Sequence, residues 1–293
     1  MKATVGELEL EYDTFGQERD PALLLIMGLA TQMTAWPEPF CEALASHGFH
    51  VIRFDNRDIG LSTYLDHLPL PSNLDFVTRR VRPAYTLDDM AADAVGLLDA
   101  LGIGKAHVVG ASMGGMIAQL VAINHPDRVL SLTSIMSNLG GRDAVAPSLR
   151  VVGRLLLPPP KDRAGRIRRQ VQTQRLLAGG NPVDEARLEQ LAVMSIDRSY
   201  HPAGMRRQLA AAAAAPSRRD RLAKLRLPAL VIHGADDPLV PAENGRRTAA
   251  AIPGARLLEV EGMGHNMPPK KWPELADAIA ETARQAEAAQ TLS

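Results

Sequence analysis

Three groups of residues in the chain have types and positions that could do chemistry. Ser112 lies inside Gly110-Ala111-Ser112-Met113-Gly114, the pair Asp236-Asp237 inside "LVIHGADDPLVP", and His265 inside "LLEVEGMGHNMPP". A serine hydroxyl is a weak nucleophile until a base takes its proton. A histidine can take that proton and return it to a leaving group, and a carboxylate can hold the imidazole in the right tautomer and stabilise its charged form. The three groups follow one another in the order Ser, Asp, His. Asp237 comes 125 residues after Ser112, and His265 comes 28 residues after Asp237.

The G-x-S-x-G spacing has a physical reason. At a sharp strand-to-helix turn the serine backbone is strained, and neighbouring main chain comes too close for side chains at the flanking positions. The turn lifts the hydroxyl above a sheet, into the crevice where open α/β sheets bind ligands. The N–H of Met113, at the start of the next helix, then faces the place where negative charge develops on a substrate oxygen. The plainer alternative is a glycine-rich helix start that packs on the sheet or cradles phosphate without covalent chemistry.

This chemistry needs elements that bring the three loops to one rim. "PALLLIMG" (21–28) is a continuous apolar run suited to a parallel strand buried on both faces. "HVIRF", "AHVVG", "RVLSLTSI", "LPALVIHG" and "ARLLEVEG" read as further strands, and "VGELELEYDTFG" (5–16) alternates as an edge hairpin should. "TLDDMAADAVGLLDALGI" (86–103) reads as a helix capped by Thr86 with Asp89 three residues on, and 273–290 as a closing helix. Strands alternating with helices predict an α/β fold with a mostly parallel twisted sheet flanked by helices. Residues 139–221 break this rhythm. They hold a "LLLPPPKDRAGR" hinge, a "GGNP" turn and the alanine run 210–215, and they read as short helices and loops forming a cap. The expected division is a core of 1–138 and 222–293 with a helical cap or lid insertion at 139–221.

The segments "LLIMGLATQMTAWP", "HVIRFDNRDIGLST", "AHVVGASMGGMIAQ", "LVIHGADDPLVP" and "GMGHNMP" resemble the α/β-hydrolase superfamily over nearly the whole chain, most closely the aclacinomycin methylesterase-like esterases. The resemblance implies a carboxylic-ester hydrolase with no cofactor and no metal. It assigns the acid to the aspartate directly before "PLVP", Asp237, with Asp236 as the alternative, and it makes the Leu29 N–H the second oxyanion donor beside Met113. Many members carry His-Gly after the first buried strand. This chain has Met27-Gly28-Leu29, which leaves the support of that loop to be found elsewhere.

Gly28, Trp36, Met136 and Met267 are the expected substrate-pocket residues, with plain core packing as the alternative for Trp36 and the methionines. His233 reads as a packed core histidine. His47, His50, His107 and His125 read as surface or capping residues. Asp55, Arg57 and Asp58 read as a salt-bridged loop bracing the site from below, with Ser62 in its turn. Residues 142–221 hold 16 Lys+Arg against 7 Asp+Glu, an excess read first as a solvated helix face and second as an attraction for anionic substrates.

Composition narrows the function. Thirty-three basic residues balance thirty-three acidic ones, which gives no sign of nucleic acid or an anionic membrane as partner. Cys41 is the only cysteine, so an internal disulfide and a cysteine metal cluster are excluded. No apolar run reaches the roughly 20 residues of a membrane span, and the N-terminus lacks the apolar stretch of a signal peptide. The expectation is a cytoplasmic enzyme acting on a small-molecule ester through an acyl-enzyme. Other chemistry by the same three groups is the alternative: C–C bond hydrolysis, cofactor-free perhydrolysis or acyl transfer. A non-catalytic receptor is the last reading.

Overall fold

In a computed structural model of the protein, residues 1–78, 80–148, 151, 153–154 and 160–291 are described. Eight strands form one sheet: β1 (Lys2–Val5), β2 (Leu8–Phe15), β3 (Ala22–Ile26), β4 (His50–Phe54), β5 (Ala106–Ala111), β6 (Val129–Ile135), β7 (Ala229–Gly234) and β8 (Arg256–Val260). Their order is β1-β2-β4-β3-β5-β6-β7-β8. The hairpin β1–β2 is antiparallel and meets β4 antiparallel. All remaining pairs are parallel. Every residue of β3, β4, β5 and β7 is buried, as expected of strands covered on both faces.

The core helices are α1 (Glu38–Ser46), α2 (Asn73–Val77), α3 (Leu87–Ala100) and α4 (Met113–Asn124) before the insertion. Residues 139–221, the segment read as an insertion, carry α5 (Arg163–Leu177), α6 (Glu185–Arg198) and α7 (Pro202–Ala214), and α8 (Arg219–Leu222), α9 (Glu243–Ala251) and α10 (Trp272–Thr291) follow. Two apolar clusters make the layers. One joins α3, α4 and the hairpin to one face of the sheet, and the other joins α1 and α10 to the opposite face. Thr86 caps α3 in a full capping box with Asp89, an arrangement worth about 1 kcal/mol.

The insertion departs from the expectation of short helices and loops. Its helices are 15, 14 and 13 residues long, and the alanine run lies inside the last of them. Alanine is a strong helix former, and the Asp162 and Asp184 side chains accept from backbone N–H groups at the starts of α5 and α6. The "GGNP" turn is present, with Gly179 and Gly180 at positive φ. Residues 155–159 of the predicted hinge lie outside the described residues. Among the described residues, no helix is long and apolar enough to cross a membrane.

Candidate active site

Because β3, β5, β7 and β8 run parallel, the segments that follow them all leave from the same rim of the sheet. Ser112 stands between β5 and α4 with φ +56° and ψ −121°, outside the regions a serine ordinarily adopts. Its own N–H donates to the Ile135 carbonyl at 2.8 Å, and its carbonyl accepts from Gly115 at 2.9 Å, so the strained turn is held on both sides. A Cβ on Gly110 would lie 2.0 Å from the Gly114 carbonyl oxygen, and one on Gly114 would lie 2.1 Å from that of Ile26. These approaches explain both motif glycines.

His265 faces Ser112 and Asp237 at once. Its Nε2 lies 3.0 Å from Ser112 Oγ, and its Nδ1 lies 2.6 Å from Asp237 Oδ2. Asp237 is buried, and its other oxygen accepts from the N–H groups of Leu239 and Val240 at 2.9 and 2.8 Å. The carboxylate is thereby fixed before it meets the imidazole. Asp236 points elsewhere, toward Asn181 at 3.5 Å. The adjacent aspartates thus part company in the structure, and only Asp237 reaches the histidine.

The first loop runs beside the nucleophile. A Cβ on Gly28 would lie 3.0 Å from Ser112 Cβ, which sets this loop directly against the serine. Among the described residues, the N–H groups of Leu29 and Met113 have no protein acceptor. The support that a His-Gly pair would supply comes from other residues. Asn56 Nδ2 donates to the Met27 carbonyl at 2.9 Å, Thr31 donates to the Gly28 and Leu29 carbonyls, and Ala30 N donates to Gln208 Oε1 at 2.9 Å.

The predicted pocket residues separate. Met136, at the end of β6, is buried with φ +42°, and Met267 is partly buried near α10. Trp36 is fully buried and stacks on Phe40 with ring centroids 5.9 Å apart, so it packs as core.

His233 packs in the core beside the acid. Its Nε2 donates to the Val240 carbonyl at 2.7 Å, and burial lowers its pKa, so it stays a neutral donor. Two other histidines depart from the surface reading. His50 and His107 are both buried, and His107 on β5 joins Ser131 on β6 and Glu287 on α10. Starts of central strands lie inside a three-layer fold, which a position in the chain does not reveal.

The loop after β4 does brace the site, but largely by gripping the insertion. Asp55 accepts from the N–H groups of Met33 and Leu61 and pairs with Arg198 of α6 at 2.7 Å. Asp58 pairs with Arg207 of α7, and Arg57 with Asp93 of α3. Ser62 donates to the Asp55 carbonyl. The arginine excess of the insertion is therefore only partly a solvated face. Arg163 and Arg175 do make exposed pairs, but Arg207 and Arg218 are buried. Sequence reading missed Gln32, Asn56, Arg198, Arg207 and Gln208. A neutral glutamine carries no signal in one sequence, whereas the acidic loop and the basic insertion together offered one.

Comparison with known proteins places the fold. Residues 21–271 match the model of the alpha/beta hydrolase fold family. The chain belongs to the α/β-hydrolase family. It is 33% identical to rhodomycin D methylesterase DauP of Streptomyces sp. (strain C5), over 97% of each chain. It is 28% identical to a 2-hydroxy-6-oxononadienedioate/2-hydroxy-6-oxononatrienedioate hydrolase of Burkholderia vietnamiensis (strain G4 / LMG 22486), over 88% of this chain and 85% of that one. Its fold superposes on the meta-cleavage product hydrolase CumD of Pseudomonas fluorescens IP01 with a TM-score of 0.77 at 19% identity, over 98% of each chain. The protein is a hydrolase enzyme of this family, with its mostly parallel sheet flanked by helices.

Proposed function

We propose that this α/β-hydrolase is a serine carboxylesterase that cleaves a small-molecule ester through an acyl-enzyme. The observation that carries the reading is the chain of two contacts from Asp237 to His265 to Ser112, at 2.6 and 3.0 Å. In the first half, His265 Nε2 takes the Ser112 proton while Oγ attacks the ester carbonyl carbon. The carbonyl oxygen becomes an oxyanion, received by the N–H groups of Leu29 and Met113. The tetrahedral adduct collapses as His265 returns the proton to the departing alcohol, which leaves the acyl group on Ser112. In the second half a water gives its proton to His265 and attacks the acyl carbon. Ser112 regains the proton as the carboxylic acid leaves.

Each oxyanion donor contributes on the order of 3 kcal/mol to lowering the barrier. Asp237 orients the imidazole and stabilises the imidazolium that forms in each half. We assign residues 1–138 and 222–293 to the catalytic core and 139–221 to a cap above it, and Gly28, Met136 and Met267 to the substrate pocket. The Streptomyces relative is named a methylesterase, and a methyl ester is accordingly the proposed substrate class. Hydrolysis of p-nitrophenyl esters of graded acyl length by wild type and Ser112→Ala tests the reading. The wild type should turn over and the variant should not. Activity retained by the variant would refute it. The relative named a 2-hydroxy-6-oxononadienedioate hydrolase makes that oxo-dienoate the control substrate, on which turnover should be slower than on the ester.

A further inference from the structure

Gln208 sits on α7, in the insertion, yet its fully buried side chain reaches into the loop beside the nucleophile. Its Oε1 accepts from Ala30 N–H at 2.9 Å, and its Nε2 donates to the Arg57 carbonyl at 2.8 Å. Ala30 has φ +56°, a left-handed conformation that a residue with a side chain adopts only when its surroundings impose it. The residue before it, Leu29, carries the N–H assigned to the oxyanion.

The orientation of that N–H is set by the peptide planes on either side. Asn56 fixes the plane before it through the Met27 carbonyl, from within the core. Gln208 fixes the plane after it through Ala30, from the insertion. A second tie runs in parallel: Gln32 donates to the Ser195 and Ser199 carbonyls and accepts from Arg198.

We infer that Gln208 is a positioning residue for the oxyanion hole, so that the packing of α7 on the core completes the hole at Leu29. The inference rests on the esterase reading and on Leu29 as a donor. With Gln208 lost, the Ala30 N–H has no buried acceptor, and the contacts from Thr31 to the Gly28 and Leu29 carbonyls alone hold the left-handed turn, so the Leu29 N–H drifts from the oxyanion position. The nucleophile, base and acid keep their contacts, because none of them touches Gln208. The loss therefore falls on transition-state binding and spares ground-state binding.

The test is steady-state hydrolysis of p-nitrophenyl butyrate, with affinity for a trifluoromethyl ketone that forms a tetrahedral adduct on Ser112. Gln208→Met keeps the length of the side chain and removes both hydrogen bonds. Its kcat should fall roughly 10- to 100-fold, below the loss for deleting a donor outright, with KM within about threefold of wild type. Ketone affinity should fall by the same factor as kcat/KM. Arg206→Met, on the same helix but bonded to Pro71 and Asn73, should leave kcat unchanged.

Gln208→Glu decides the matter if the methionine variant does not fold. A protonated carboxyl reproduces both bonds, whereas the ionised form repels the Arg57 carbonyl. The ratio of its kcat to that of wild type should fall as pH rises through the titration of that carboxyl. A methionine variant with wild-type kcat, or a glutamate variant with a pH-independent ratio, overturns the positioning role. If Ser112→Ala is inactive in the same assays, that result leaves the esterase reading standing. Activity in Ser112→Ala would remove both.

Discussion

Arg207 of α7 and Asp58 of the loop after β4 meet as a fork on a buried carboxylate, Nε to Oδ2 at 2.7 Å and Nη2 to Oδ1 at 2.9 Å. Both side chains are essentially inaccessible. Burial opposes the charge on Asp58, but the bonds from Arg207 and the Leu65 N–H overcome it and hold the carboxyl below its ordinary pKa. Removing one member leaves an uncompensated charge in the interior. Arg207→Met should therefore destabilise the protein by about 3–5 kcal/mol. The double variant with Asp58→Leu should recover much of that loss. Denaturant unfolding of the two singles and the double measures both values, and additive losses would contradict the coupling.

Neutralising the acid separates the adjacent aspartates. Asp237→Asn should lower kcat on the order of 10⁴-fold, because the amide cannot hold the Nδ1–H tautomer. Asp236→Asn should change kcat less than threefold, since that side chain lies toward Asn181. Parallel steady-state kinetics on the two variants checks this, and equal losses would count against the assignment of Asp237.

Stability should fall as the solution is acidified, in two stages. Burial lowers the pKa of His107 and of His233, with Glu287 opposing at the first and Val240 and Asp237 at the second. The folded state then binds these protons less readily than the unfolded chain. Their contribution is complete above about pH 6.5 and is lost as pH falls through the lower folded values. Asp58, also depressed, adds a further loss below about pH 4. Unfolding free energies measured across this range should decline toward acid, less steeply in His107→Gln. A rise on acidification would contradict the burial of these rings.

Cys41 should be inert in the native protein. It is fully buried, and burial pushes its thiol up to about 12, so almost no thiolate exists at neutral pH. Thiol reagents should leave the native enzyme unlabelled and fully active while labelling one cysteine after unfolding. Rapid labelling of the folded enzyme would contradict this packing.

How much of the molecule was legible depended on how local each signal was. The run Ala22–Ile26 had to be a doubly covered strand because nothing polar interrupts it, and the Thr86 cap was written within four residues. The serine, the aspartate pair and the histidine could be singled out because each follows a strand, and parallel strands deliver such residues to one rim; the choice of Asp237 over Asp236 rested on the family resemblance. Residues 139–221 were misread as short helices because few of their helix positions are buried: Gly165, Ile167 and Leu177 in α5, Ala192 alone in α6, and small or polar residues in α7. Arg207 and Arg218 looked solvated because a buried arginine shows itself only once its partner is in view. Gln208 was invisible, since its value lies in Ala30, 178 residues away in sequence.

The most direct test of the central claim is a rapid acid quench of the enzyme during p-nitrophenyl ester turnover, followed by mass analysis of its peptides. The account predicts a transient gain of one acyl group on the peptide carrying Ser112, formed with a burst of p-nitrophenol and absent from Ser112→Ala. Turnover with no acyl group on that peptide, or with the group on another residue, would contradict it.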